Sequence, residues 1–141
     1  MLYLCEARGR DRLWSSEPAD RAEIASWLFW ESAHWQPALT PVLSAFVGHR
    51  LLPETLPAPT HPPDWDDPLL AAQLALLEGS LARRPFIDGD TLTIADLGVA
   101  GMATYFRSAG FPFDAHPAFA TWYAKIESLE AWQSTRSPLW R

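Results

Sequence analysis

The chain has 141 residues, 48% of them apolar and 13% aromatic, enough for one domain around one core. Eleven Lys and Arg against 17 Asp and Glu leave a net charge of -6, which argues against nucleic acid or an anionic membrane as the main partner and for a small molecule or a protein. The single cysteine, Cys5, excludes an internal disulfide. The N-terminus lacks the basic stretch and apolar run of a secretory signal, and no apolar run approaches the roughly 20 residues that span a bilayer, so the expected location is cytoplasmic.

In chain order, Met1-Leu2-Tyr3-Leu4-Cys5-Glu6-Ala7 reads as the last turns of a helix, with Gly9 as its C-terminal stop. Residues 10–17 form a connector. Ser15 or Ser16 then caps a helix whose first turn carries Glu17, Pro18 and Asp20. Ile24, Trp27, Leu28, Glu31, Trp35 and Leu39 recur at helical spacing, so this helix is long. Pro37 and Pro41 each remove an intrahelical bond and clash with the preceding turn, which predicts a bend or split near residues 33–37 in a helix running to Gly48. Residues 53–67 are rich in proline and aspartate without an apolar period, and are expected as a loop or a mobile linker.

Asp67 caps and Pro68 starts the next helix, whose Leu70, Gln73, Leu74, Leu77 and Leu81 share a face; Arg83 and Arg84 follow at the negative end of its dipole, and Pro85 stops it. Leu92-Thr93-Ile94-Ala95-Asp96-Leu97 is the best-marked helix start in the chain. The Thr93 side chain is placed to accept from the Asp96 N–H while the Asp96 carboxylate reaches back to the Thr93 N–H, a capping box, with Leu92 and Leu97 at the staple positions. No charge follows until Arg107, so a helix from Thr93 to near Gly110 with no solvated face is expected at the centre of the fold. A further helix begins around His116-Pro117 with Phe119, Trp122, Tyr123, Ile126 and Leu129 inward, and residues 131–135 add a turn. No period-two pattern of convincing length interrupts these helices, so the predicted fold class is all-α, a helical bundle with a long kinked helix and a buried central helix.

His34, His49, His61 and His116 show no paired ligand spacing, and the acids of residues 64–67 sit in the proline-rich loop, so no metal site is expected. There is no glycine-rich phosphate loop and no nucleophile elbow, so the residues themselves indicate no catalytic group and no cofactor. For Thr93 and Asp96 the capping geometry accounts for both side chains, and a structural role is the reading adopted.

The chain resembles the C-terminal helical domain of the glutathione S-transferase family. The resemblance runs through Arg12-Leu13-Trp14, Arg21-Ala22, Trp27-Leu28-Phe29-Trp30, Leu74-Leu77-Leu81, Phe86-Ile87-Asp88-Gly89-Asp90, the capping-box stretch, and Pro117 with Trp122 and Ile126. It implies that residues 1–9 are the remainder of the last helix of a thioredoxin-like domain and that residues 18–141 are the helical domain. It also implies that the thiol-activating residue and the glutathione grip would lie before Met1, so that Cys5 is not a catalytic cysteine and the chain alone is inactive. Glutathione would be a co-substrate only with that domain supplied. In this family an apolar electrophile sits in a cleft lined partly by the kinked helix and the central helix, and the dimer surface includes the kinked helix and the next one, so a homodimer is implied. The lining residues so implied are Trp30, Glu31, His34 and Trp35 at the bend and Tyr105 on the central helix; ordinary core packing explains the same residues and stays open beside it. Two other functions fit the sequence: a non-catalytic helical protein-interaction module, and a free-standing binder of apolar ligands.

Overall fold

The computed structural model describes residues 1–8 and 13–135. The expected Gly9 stop, residues 10–12 of the connector and residues 136–141 lie outside them. The described residues fold as helices: α1 (Leu2–Arg8), α2 (Pro18–Trp30), a π-helical turn (Glu31–Trp35), α3 (Gln36–Leu51), α4 (Pro68–Leu81), α5 (Ile94–Met102), α6 (Pro117–Glu127) and α7 (Glu130–Thr135), with 3-10 turns at Ala103–Tyr105 and Phe113–Ala115. The fold is all-α, without a strand among the described residues beyond one isolated bridge between Phe86 and Gly89. No described helix is long and apolar enough to cross a membrane.

α2 starts with Pro18 in its first turn, but its N-cap position is Glu17, which makes no side-chain cap. The capping expected of Ser15 or Ser16 is displaced: the Ser15 hydroxyl accepts from the Glu17 N–H at 3.1 Å and donates to Asp20 at 2.8 Å, bracing the approach to the helix rather than its first turn. The kink arises where proline requires it. Pro37 has no N–H and its ring would press on the carbonyl of Ala33, so the preceding turn widens to π register, with the Gln36 N–H donating to Glu31 O. The chain then resumes as α3, which runs three residues past the expected Gly48.

Residues 52–67 are irregular, as their prolines dictate, yet the loop is anchored. Trp65 inserts against Phe106 and Phe111, with centroids 5.2 and 5.1 Å away, and the Leu56 carbonyl lies 2.8 Å from His49 Nδ1. Asp67 Oδ1 accepts from the N–H groups of Leu69 and Leu70 at 2.9 and 3.1 Å, starting α4. Leu70, Leu74, Leu77 and Leu81 are buried along its inner side.

The capping box at α5 is formed, and it does more than cap. Asp96 Oδ2 accepts from the Thr93 N–H at 2.9 Å and from the Thr93 hydroxyl at 3.1 Å, while Thr93 Oγ1 accepts from the Ala95 N–H at 3.2 Å. The other oxygen, Oδ1, accepts from the Ile87 N–H and from the Trp122 indole N–H, both at 2.9 Å. Local capping therefore does not account for Asp96 completely: a fully buried carboxylate ties the 86–89 turn, the start of α5 and the middle of α6 into one network. The Ile94 N–H is taken by the Leu13 carbonyl at 3.0 Å, joining the connector to the same helix start. The α-helix ends at Met102 rather than near Gly110, tightening to 3-10 geometry. It also has a partly solvated side, with Gly101 exposed and Leu97, Gly98 and Met102 only half-buried, because an uncharged run sets no limit on which side faces water.

The main core gathers Trp35, Leu39, Leu74, Leu77, Ile87, Val99, Phe106, Phe119, Trp122 and Tyr123. A smaller cluster of Cys5, Ile24, Ile94 and Ala95 fastens α1 to α2 and α5. Gly98 matters at that seam: a Cβ there would lie 3.2 Å from Leu28 Cδ2, so glycine lets α2 approach α5.

Candidate functional site

The widened turn decides which of the expected lining residues face outward. Trp35, at its end, is 0% exposed; its indole N–H donates to the Val99 carbonyl at 3.2 Å, and its ring packs 6.0 Å from Phe106 and 6.4 Å from Phe119. Trp35 is a core residue and offers no face to a ligand. Trp30 stacks on it at 5.9 Å with an interplanar angle of 21°, meets Trp27 edge-on at 5.3 Å, and remains half-buried. The pair therefore forms a column with Trp35 as its base and Trp30 as its outer ring. The Trp30 indole N–H donates to Gln73 Oε1 on α4 at 2.9 Å, which fixes the ring. Gln73 is absent from the expected lining set, although an amide inside the Leu70, Leu74 and Leu77 stripe signals a polar partner across the helix pair.

Glu31 follows Trp30 at the first position of the π turn. It is half-buried, and that burial raises its carboxyl above the ordinary range. His34 lies on the exposed side of the same turn, so it does not join the inward-facing group. Tyr105 closes the 3-10 turn after α5. It is half-buried against the main core, next to the Phe106 that packs on Trp35, and burial raises its hydroxyl, which stays a donor at neutral pH. Trp30, Glu31 and Tyr105 are thus each half-buried, Trp30 stacked on Trp35 and Tyr105 packed against the main core, whereas Trp35 is sealed and His34 solvated.

At the surface, Trp30 and Glu31, adjacent in the chain, offer an apolar ring and one polar group. It contains no nucleophile. Among the described residues no group of three His, Cys, Asp or Glu side chains is arranged to hold a metal ion. Cys5 is buried in the small cluster beside Ile24 and Ile94 and is not part of this surface.

The rest of the exposed apolar surface is largely on α1, α2 and α4. Leu2, Tyr3 and Leu4 project from α1, and Phe29 is 75% exposed at the end of α2. The outward side of α4 is apolar along its length, with Leu69 66% and Leu76 45% exposed, and Ala71, Ala72 and Ala75 exposed between them. A helix that is apolar all round is usually covered on all sides.

Residues 66–125, which span α4, α5 and most of α6, match the family model described as glutathione S-transferase, C-terminal domain. The glutathione S-transferase GstB of Escherichia coli (strain K12) is 25% identical over 136 residues, which cover 92% of this chain and 60% of GstB. The chain thus spans about three fifths of that relative. Among solved structures, a glutathione S-transferase from Rhodospirillum rubrum F11 is 25% identical with a TM-score of 0.75, over 98% of this chain and 64% of the other. Glutathione S-transferase-I bound with lactoylglutathione superposes with a TM-score of 0.78 at 19% identity, over 94% of this chain and 64% of the other, and shows likeness of fold. The family model takes in the capping box and Tyr105 but stops short of the π turn, so the candidate surface is half inside the matched stretch and half outside it. Together these likenesses support a glutathione S-transferase-family protein with a C-terminal helical domain.

Proposed function

We propose that these helices supply the acceptor-binding wall for conjugation of glutathione to an apolar electrophile, acting in the cytoplasm. The thiolate would be generated by a thioredoxin-like domain, of which α1 is the last helix; residues 18–141 form the helical domain. On this reading glutathione is a co-substrate held by that other domain, and the 141 residues alone do not catalyse conjugation. Their contribution is burial and orientation of the acceptor, which lowers the barrier by proximity. The observation that carries the reading is Glu31. A half-buried carboxyl, next in the chain to the outward ring of a stacked tryptophan pair and raised by its burial, is a suitable single polar anchor for an apolar acceptor.

The test is calorimetric titration of the chain with an apolar aryl halide, with no glutathione present. Trp30→Ala is expected to weaken binding about tenfold, from loss of one buried aromatic face, and Glu31→Gln to change affinity for acceptors that carry a hydrogen-bond donor. Unchanged affinity in both variants would remove this surface from consideration.

The same proposal includes a homodimer across α2 and α4. The exposed apolar side of α4, with Leu69 and Leu76, favours it, since a solvated helix seldom presents only apolar side chains outward, and the exposed Phe29 of α2 adds to the apolar area.

A further inference from the structure

We infer that the groove between α3 and the proline-rich loop binds a small organic cation with an apolar body, an aryl or alkyl ammonium. The groove encloses about 490 Å³, within the range for small-molecule sites and large enough for two fused rings. α3 contributes Pro41, Val42 and Phe46 to its lining, and the loop contributes Pro57, Pro59 and Pro62. None of Trp30, Glu31 and Tyr105 lines it, so it is separate from the proposed acceptor wall. The loop is held at both ends: the Leu56 carbonyl lies 2.8 Å from His49 Nδ1, and Trp65 packs against Phe106 and Phe111. Leu56 also sits close over Gly48, where a Cβ would lie 3.0 Å from its Cδ1. Between those anchors the proline rings fix φ, so the apolar lining needs little ordering when a ring enters.

Charge selects the occupant. Asp64 and Asp67 both line the groove, with Asp66 between them in the chain, and no Lys or Arg lines it among the described residues. Neither aspartate forms an ion pair within 4 Å among the described residues, unlike Glu6 with Arg21 and Glu127 with Arg107. Each commits one oxygen to the backbone. Asp64 Oδ1 accepts from the Asp66 N–H at 3.1 Å, and Asp67 Oδ1 accepts from the Leu69 and Leu70 N–H groups at 2.9 and 3.1 Å. The second oxygen of each accepts no hydrogen bond from the described residues and is open to a donor on a ligand. Because Asp67 takes two of the amides at the start of α4, the positive end of that helix is already met, and what remains for a ligand is carboxylate oxygen. The opposing charge is Arg50, whose guanidinium lies 5.4 Å from the Phe46 ring centroid; it is not a lining residue. His61 also lines the groove and adds an imidazole beside the prolines.

The experiment titrates the full chain at neutral pH with naphthalen-2-ylmethylammonium, with naphthalen-2-ylmethanol as the uncharged comparator and 2-naphthoate as the anion, by calorimetry and by amide chemical shifts. Saturable 1:1 binding of the ammonium is expected, with shifts centred on Val42, Phe46 and Thr60, the alcohol bound more weakly and the naphthoate most weakly. Asp64→Asn and Asp67→Asn should each weaken the ammonium about two- to fivefold and leave the alcohol unaffected. Asparagine keeps an oxygen for the α4 cap, so Asp67→Asn removes the charge and not the helix start. Ala45→Trp, at an exposed position lining the groove, should fill it and abolish binding of both probes. The two asparagine variants carry the test even if Ala45→Trp impairs folding. Wild-type ammonium affinity in the doubly substituted Asp64→Asn, Asp67→Asn chain would overturn the proposal. So would naphthoate or alcohol binding as tight as the ammonium, shifts centred elsewhere, or no saturation at millimolar ammonium.

Discussion

Asp96→Ala separates a local cap from a tertiary hub. If Asp96 only capped α5, its removal would cost about 1 kcal/mol, the usual loss for a helix cap. In the structure its two oxygens accept from four donors, the Thr93 N–H, the Thr93 hydroxyl, the Ile87 N–H and the Trp122 indole N–H, all buried. The hydroxyl can rotate to another acceptor; the other three donors are fixed by backbone or ring. Leaving each without a partner costs about 1–1.5 kcal/mol, so the loss should total about 3–5 kcal/mol, a large part of the stability of a domain this size. Thr93→Ala, which removes the acceptor for Ala95 and one donor to Asp96, should cost only about 1 kcal/mol. Urea unfolding followed by far-UV circular dichroism measures both. Trp122→Phe completes the set: in the Asp96→Ala background it should cost about 1 kcal/mol less than in the wild type, because the orphaned indole donor is gone. An Asp96→Ala penalty no larger than that of Thr93→Ala, or no coupling to Trp122, would refute the hub. The molecules that do fold should keep their ligand contacts; wild-type melting with lost binding would point instead to a functional Asp96.

Asp88 gives a pH-dependent expectation. Its carboxyl is pushed up to about 6 by burial, by the hydrogen bond and charge of Glu23, and more weakly by Asp20, against the opposing charge of Arg84; its Oδ1 is buried without a partner. A carboxyl raised on folding contributes stability at low pH that is lost as pH rises through the folded value. Asp88→Asn should therefore raise Tm at pH 8 and leave it unchanged near pH 4; an equal rise at both would mean the effect is not one of ionisation. The glycines provide a contrast of sign. Gly101 is exposed in α5, and a Cβ added there would meet nothing within 4 Å, so Gly101→Ala should stabilise by about 0.5–1 kcal/mol in urea unfolding. Gly110 has φ +75°, so Gly110→Ala should destabilise by about 1 kcal/mol, and the same direction for both would contradict the backbone assignment.

What the sequence made legible was what neighbours in the chain decide among themselves. Asp67 before Pro68, Thr93 three residues before Asp96, and proline at residues 37 and 117 each act over one helical turn, and each marks a boundary or a kink in the structure. Partners set by packing carry no such local mark. Glu78 caps α6 from 40 residues away, and Trp122 reaches Asp96 across 26. The candidate surface failed to resolve for a related reason. In a regular α-helix, residues five apart point about 140° from each other, so helical spacing cannot say that Trp30 and Trp35 will stack. Pro37 shows which hydrogen bond must be lost but not how the turn absorbs the loss. By widening to π register the chain adds a residue to the turn, which swings Trp35 beneath Trp30 and into the core and leaves Glu31 half-buried at the start of the turn. The sealed tryptophan, the outward tryptophan and the perturbed carboxyl all follow from that one added residue, and a periodicity of about 3.6 could not have separated them.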